Sequence, residues 1–347
     1  MSSDGACRWS REAVVTGPGI AVLSTLPSVR PRLRMAFDES PDREGLFAAP
    51  VDRLDELRDV LSLLSVFERQ TTRACVIAND GSFDPWRAGP VERGIRQIET
   101  PWFSDALLPQ NIAFHYQPIV DARTFEVIGN EALARARVDG WGIGPELLVD
   151  AAHAHDELLA LDEALRREAI IKSAEYLRSG LKLFINFFPM TVYDPATCLQ
   201  STFSAANSLG VPFDRFVFEV IESETYPDAE QLRRIVEAYR SRGAGVALGD
   251  LSSGSASLLS DERFVPDYVK LDRDLLRRAV EGGRPGLYAG VARLAQDRGV
   301  AVVAEGFETK AEFEFCLELG VEYAQGYYFR RPMSEPAVGS LAGRSAA

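Results

Sequence analysis

From residue 112 onward, short apolar runs alternate with segments whose apolar residues recur at helical spacing. The runs rich in β-branched and aromatic residues predict strands over 113–120, 126–133, 181–187, 215–221, 245–248, 267–271, 300–304 and 322–324. Helical patterns intervene over 158–178, 228–242, 286–298 and 310–319. Eight strands with helices between most of them predict an α/β fold, a closed (β/α)8 barrel of the TIM type. The link between the first two strands is too short for a parallel crossover, so the first should run antiparallel to the second. A doubly wound open sheet is the alternative, but no glycine-rich dinucleotide turn follows the first strand.

Upstream the pattern differs. Val51, Leu54, Leu57, Val60, Leu61, Leu64 and Phe67 recur at helical spacing, opposed by Asp52, Arg53, Asp55, Glu56, Arg58 and Asp59. That stripe either packs on its own domain or forms a dimerisation or sensory-coupling helix, the former making the protein a homodimer. A short strand is expected over 74–78, closed by Asn79-Asp80-Gly81. The first 45 residues mix Pro, Gly, Ser and Arg without periodicity and read as loosely structured. The expected organisation is therefore a loose segment 1–45, an accessory region 46–108, a barrel 109–336 and a tail 337–347.

Composition narrows the function classes. Among 347 residues the net charge is -13, which argues against a nucleic-acid surface and against docking to anionic lipid. No apolar run approaches the ~20 residues that a membrane span needs. Cys7, Cys75, Cys198 and Cys316 are scattered without metal-type spacing and read as reduced thiols, so a cytoplasmic location is expected.

Polar residues mark the ends of seven predicted strands: Glu131, Asn186, Glu219, Asp250, Lys270, Glu305 and Gln325. In a barrel of this type chemistry sits where strands end, so these residues should converge on one rim. The set is rich in oxygen, carries one ammonium and has no convergent histidine. It suits Mg²⁺ or Mn²⁺ better than Zn²⁺, and phosphoryl chemistry better than acyl transfer. Strand alternation puts Glu131, Leu133 and Arg135 on one face, pairing a cation-binding carboxylate with a phosphate-binding guanidinium.

Across 112–332 the chain resembles the EAL domain family, the phosphodiesterases and receptors of cyclic di-GMP. The resemblance rests on Tyr116-Gln117-Pro118-Ile119-Val120, Glu131-Ala132-Leu133-Ala134-Arg135, Asn186, Glu219-Val220-Ile221-Glu222, Lys270-Leu271-Asp272, Glu305-Gly306-Phe307-Glu308 and Gln325-Gly326-Tyr327. It implies that Glu131, Asn186 and Glu219 are metal ligands, and that Lys270 and Glu305 handle the attacking water with Gln325 alongside. It further implies ligand contacts from Gln117, Leu133, Arg135 (on a phosphate) and Asp162 (on a guanine). Glu222 and Glu308 would anchor loops.

The pattern breaks at one position. Where the family shows Asp-Asp-Phe-Gly-Thr-Gly, this chain has Gly249-Asp250-Leu251-Ser252-Ser253-Gly254. The first aspartate, which the family uses between two metals, is Gly249. Both metal positions lose a ligand, leaving Asp250 as the remaining candidate there. Leu251 and Ser255 replace aromatics, Ile221 a threonine and Phe188 a serine. The preferred expectation is a cyclic di-GMP receptor with lost or reduced hydrolysis that signals to a protein partner. An active phosphodiesterase using Mg²⁺ or Mn²⁺ is the alternative, and an interaction module without ligand or cofactor a weaker one.

Overall fold

The computed structural model describes residues 18–41, 43–221, 229–251, 259, 265–280 and 285–342, without the side chains of 229, 250 and 251. The chain divides into two compact units, 1–104 with 149–157, and 105–148 with 158–347.

The first unit is built on strands β1 (Gly19–Leu23), β2 (Leu46–Pro50), β3 (Arg73–Ile77) and β4 (Gly89–Pro90), with helices α1 (Arg30–Leu33), α2 (Leu54–Ser62), α3 (Val66–Thr71) and α4 (Val91–Glu99). The sheet order is β2-β1-β3-β4. β1 lies between antiparallel neighbours, with Ile20 opposite Ala49 on one side and Val76 on the other. The expectation of a loose segment 1–45 is thus corrected for its described part. Gly19-Ile20-Ala21-Val22-Leu23 is a buried inner strand, too short to stand out amid its Pro- and Gly-rich flanks.

The apolar stripe on α2 turns inward. Leu54, Leu57, Val60 and Leu61 join Ile20, Val22, Phe47 and Ala49 in one core. The predicted helix does not run on to Phe67. Ser65 caps a new helix, its hydroxyl accepting from Glu68 N while the Glu68 carboxylate accepts from Ser65 N, a reciprocal box that restarts the chain in α3. Phe67, beyond that break, is exposed.

The second unit is the expected barrel. Its strands are β5 (Ile112–Asp121), β6 (Val127–Val138), β7 (Trp141–Ile143), β8 (Lys182–Phe187), β9 (Phe216–Val220), β10 (Gly245–Leu251), β11 (Tyr268–Leu271), β12 (Ala301–Glu305) and β13 (Tyr323–Gln325). In chain order the remaining helices are α5 (Phe103–Ala106), α6 (Pro145–His155), α7 (Leu158–Lys172), α8 (Ala174–Leu177), α9 (Pro195–Cys198), α10 (Gln200–Leu209), α11 (Ala229–Arg240), α12 (Arg273–Val280), α13 (Pro285–Asp297) and α14 (Lys310–Glu318). No described helix is long and apolar enough to cross a membrane.

The strands follow the order β5-β13-β12-β11-β10-β9-β8-β6, and pairing of β5 with β6 closes the ring. β5 is antiparallel to both neighbours and the other pairs within the ring are parallel. β6 outruns its predicted end because Asp139 (φ 50°) and Gly140 (φ 83°) turn it into a hairpin with β7. The tail begins later than expected. Ala337 and Leu341 are buried, and Val127 N donates to Gly339 O, so 337–342 are packed on this unit.

Inside the ring, Ile119, Phe184, Val217, Ala247 and Val303 form an apolar floor with Ile128, Tyr268 and Tyr323 against it. The floor needs a bulge. Ile119 faces Gly129 and Val120 faces Val127, so Ile128 is an extra residue on β6. Gly129 then passes so close to β8 that a Cβ there would meet Lys182 O at 2.7 Å.

Candidate functional site

A strand returns to the same face every second residue, so the layer above the apolar floor is set by arithmetic. Phe184 leads to Asn186, Val217 to Glu219, Ala247 to Gly249, Tyr268 to Lys270, Val303 to Glu305 and Tyr323 to Gln325. On antiparallel β5, Ile119 leads back to Gln117, which stands opposite Glu131 of β6. Thus Gln117, Glu131, Asn186, Glu219, Lys270, Glu305 and Gln325 meet in one layer, because their strands share one register.

Lys270 is the centre of the layer, only 1% exposed. Its Nζ donates to Glu131 Oε2 at 2.9 Å and to Glu219 Oε1 and Oε2 at 2.8 and 2.9 Å. It lies 2.6 Å from Glu305 Oε1. Glu131 also accepts from Asn186 Nδ2 at 2.7 Å and from Gln325 Nε2 at 2.6 Å, and Gln325 Nε2 reaches Gln117 Oε1 at 3.2 Å.

The electrostatics follow from two buried carboxylates, Glu131 and Glu219, and the half-buried Glu305 around one ammonium. Burial acts to lower the Lys270 pKa, but Glu131, Glu219 and Glu305 outweigh it and hold the group well above its usual range. For Glu219, burial dominates and raises the carboxyl well above normal; Lys270 offsets this in part, while Glu131 and Glu305 add to it. Glu131 differs because it has more donors. Burial would raise it, yet Lys270, Asn186 and Gln325 together hold it below normal. The two carboxyls beside Lys270 are thus shifted in opposite directions, Glu131 down by its extra donors and Glu219 up by burial.

Above this layer lies a cavity of about 370 Å³, lined among others by Gln117, Leu133, Ile221, Asp272, Arg273, Glu308 and Tyr327. Asp272, Arg273 and Tyr327 carried no role in the sequence reading, although Asp272 and Tyr327 sit inside two quoted motifs. Arg273 follows Lys270-Leu271-Asp272 directly, and that adjacency was the available signal.

Two expected ligand contacts are placed elsewhere. Asp162, on α7, is 1% exposed and does not line the cavity. Its carboxylate accepts from Arg166 Nε and Nη2 at 3.0 and 2.8 Å, from Thr191 Oγ1 at 2.6 Å and from Phe188 N at 2.9 Å. That full set of donors makes Asp162 a clamp between α7 and the segment after β8, apart from the residues that line the cavity. Arg135 is half-buried on the same strand face as Glu131, but its Nη1 donates to Ala134 O at 2.7 Å and it does not line the cavity. Glu222 and the side chain of Asp250 lie outside the described residues.

The metal pair that the resemblance implies needs free carboxylate oxygens, and the described side chains offer few. Glu131 and Glu219 each have both oxygens on protein donors. Gly249 has none, and its place is taken: a Cβ built there would lie 2.5 Å from Glu219 Oε1 and 3.1 Å from Val220 O. Among the described residues no group of three or more His, Cys, Asp or Glu is arranged to hold a metal ion. The described donors do not fit the pair.

A family model described as EAL domain matches residues 102–332. The chain is 29% identical over 224 residues to a probable cyclic di-GMP phosphodiesterase, PdeN of Escherichia coli K12, covering 63% of this chain and 43% of that protein. It is 28% identical over 243 residues to MucR of Pseudomonas aeruginosa, a bifunctional diguanylate cyclase/cyclic di-GMP phosphodiesterase, covering 68% and 35% respectively. The chain thus spans less than half the length of these two relatives. Among solved structures, a standalone EAL protein from Vibrio cholerae O395 in its c-di-GMP-bound form superposes with a TM-score of 0.57 at 32% identity, over 67% of this chain and 97% of that one. The MucR phosphodiesterase in complex with c-di-GMP gives a TM-score of 0.61 at 26% identity, over 68% and 97%.

Proposed function

This chain belongs to the EAL domain family, and from that premise we propose that its barrel binds cyclic di-GMP as a receptor with lost or reduced hydrolysis. The observation that carries this reading is the pairing of Gly249 with Glu219. The position that should hold a shared metal ligand has no side chain, and a neighbouring carboxylate fills its space against Lys270. A metal would supply water activation and charge neutralisation in an active relative. Here the ammonium of Lys270 already pairs with the carboxylates of that layer.

Ligand contacts fall to the walls. Gln117 and Leu133 line the cavity, and Arg135, two residues on along the same face of β6, would leave Ala134 O to take a phosphate. A charge-assisted bond of that kind makes Arg135→Ala weaken binding by roughly 1.5–3 kcal/mol. The signal passes to a protein partner or a second copy of the chain, a reading supported by exposed Leu63, Val66 and Phe67 in the first unit. A cytoplasmic location belongs to the same proposal and is supported by Cys75, Cys198 and Cys316 being free thiols.

The second reading is an active phosphodiesterase yielding the linear dinucleotide with Mg²⁺ or Mn²⁺. Retention of Glu131, Asn186, Glu219, Lys270, Glu305 and Gln325 in one layer favours it. Calorimetric titration with cyclic di-GMP, in EDTA and then in Mg²⁺, tests the proposal. Equal affinity in both supports the receptor, and binding that requires Mg²⁺ counts against it.

A further inference from the structure

Arg273, the first residue of α12, reaches the cavity by an unusual route. Its stem lies across Gly306, where a Cβ would stand 2.4 Å from Arg273 Cβ, 2.7 Å from Cγ and 3.0 Å from Cδ. Gly306 also has φ +71°, so two features at this position demand glycine. The missing side chain is the channel through which the arginine runs. At its far end Arg273 Nη2 pairs with Glu308 Oε1, while its Nε is buried without a hydrogen-bond partner.

The charges around it leave Arg273 a distinct task. Beneath, Lys270 is committed to Glu131, Glu219 and Glu305. Asp272 Oδ1 accepts from Asp274 N and from Leu275 N, the latter at 3.1 Å, which fixes the backbone at the start of α12. The Arg273–Glu308 pair is by contrast 37% and 44% exposed, the kind of ion pair that contributes little and exchanges readily. A planar guanidinium with a spare N–H, facing a carboxylate that can be replaced, is suited to a phosphate.

We infer that Arg273 is a phosphate clamp of this cavity, parked on Glu308 until the ligand arrives. The inference rests on the cyclic di-GMP reading above and names the residue that reads the dinucleotide's charge. On binding, the guanidinium turns its donors from Glu308 to a phosphate oxygen.

The test is calorimetric titration of the full chain with cyclic di-GMP in EDTA, for wild type, Arg273→Ala, Arg273→Lys and Glu308→Gln, with a melting curve for each. Arg273→Ala should weaken binding about tenfold or more and flatten its salt dependence, and Arg273→Lys should recover part of the loss. Glu308→Gln should tighten binding, because a competing carboxylate is gone. A strap that only holds the loop gives another pattern, in which both Ala and Gln variants lose melting temperature and affinity together; that pattern overturns the inference. If wild type binds and Arg273→Ala binds equally well, the clamp alone is wrong. If wild type takes up no cyclic di-GMP, the clamp falls together with the receptor reading.

Discussion

Glu219 Oε1 lies 2.5 Å from where the Cβ of a residue other than glycine would stand at position 249. The two positions share the interior of the barrel on neighbouring strands, so what one lacks the other fills. Glu219 keeps its place there by accepting from Lys270 with both oxygens. Position 249 has no left-handed backbone angle that would require glycine, so the obstacle to a side chain is steric and electrostatic.

A restored carboxylate should accordingly disturb the layer before it helps. Gly249→Asp places a fourth carboxylate beside three and forces Glu219 aside. Without divalent metal the variant should lose on the order of 1–3 kcal/mol of stability. Mg²⁺ or Mn²⁺ should return much of that loss, because a cation can satisfy both displaced groups. Thermal denaturation with and without metal checks this. A variant as stable as wild type in EDTA would show that the space is not contested.

Glu131 and Glu219 both touch Lys270, yet removal of their charges should have different effects. Glu131 is held below its normal pKa, so it stabilises the fold above about pH 4.5, and that contribution is lost as pH falls through its lowered value. Glu219 is raised, so it favours the fold at low pH, and its contribution is lost as pH rises past its normal range near 4.5 toward the raised value. At pH 7 Glu131→Gln should cost about 3–5 kcal/mol as a broken buried pair. Glu219→Gln should stay within about 1 kcal/mol of wild type and reduce the fall in stability above pH 5. Urea denaturation at pH 5 and 7 reads both, and equal costs at pH 7 would contradict the assignment.

Lys270 shares the sign of Glu219 and opposes that of Glu131. Its pKa is raised, so its contribution is complete below its ordinary value of 10.5 and is lost only as pH climbs through the higher folded value. Lys270→Met leaves Glu131, Glu219 and Glu305 without their shared ammonium and should cost about 3–5 kcal/mol at pH 7, with partial recovery near pH 5. Denaturation midpoints at the two pH values check the recovery; a pH-independent loss would point to packing alone.

Asp162→Asn separates a structural clamp from a ligand contact. Arg166, its partner, is fully buried, and breaking such a pair costs about 3–5 kcal/mol. The folded variant should bind cyclic di-GMP with unchanged affinity. A tenfold loss of affinity at unchanged melting temperature would restore the guanine contact.

The barrel was legible because its strands are short apolar runs between helices of ordinary amphipathic pattern, and each of the eight appears near its predicted place. The polar layer was legible for a simpler reason: a polar residue at the end of an apolar strand is conspicuous. What escaped depends on distance in sequence or on absence. Arg166 lies one helical turn from Asp162, so their pairing was available from spacing, but only burial shows that it consumes the carboxylate. β1 hid because Gly19–Leu23 is brief and flanked by turn-forming residues. The route of Arg273 over Gly306 joins two strands' ends and leaves no local pattern.

Incubation of cyclic di-GMP with the wild-type chain under Mg²⁺ and Mn²⁺, with chromatography of the nucleotide, tests the central claim most directly. The account predicts that the ligand is recovered intact or is converted only slowly, while Gly249→Asp yields more of the linear dinucleotide. Brisk wild-type turnover that Glu131→Ala abolishes would contradict it.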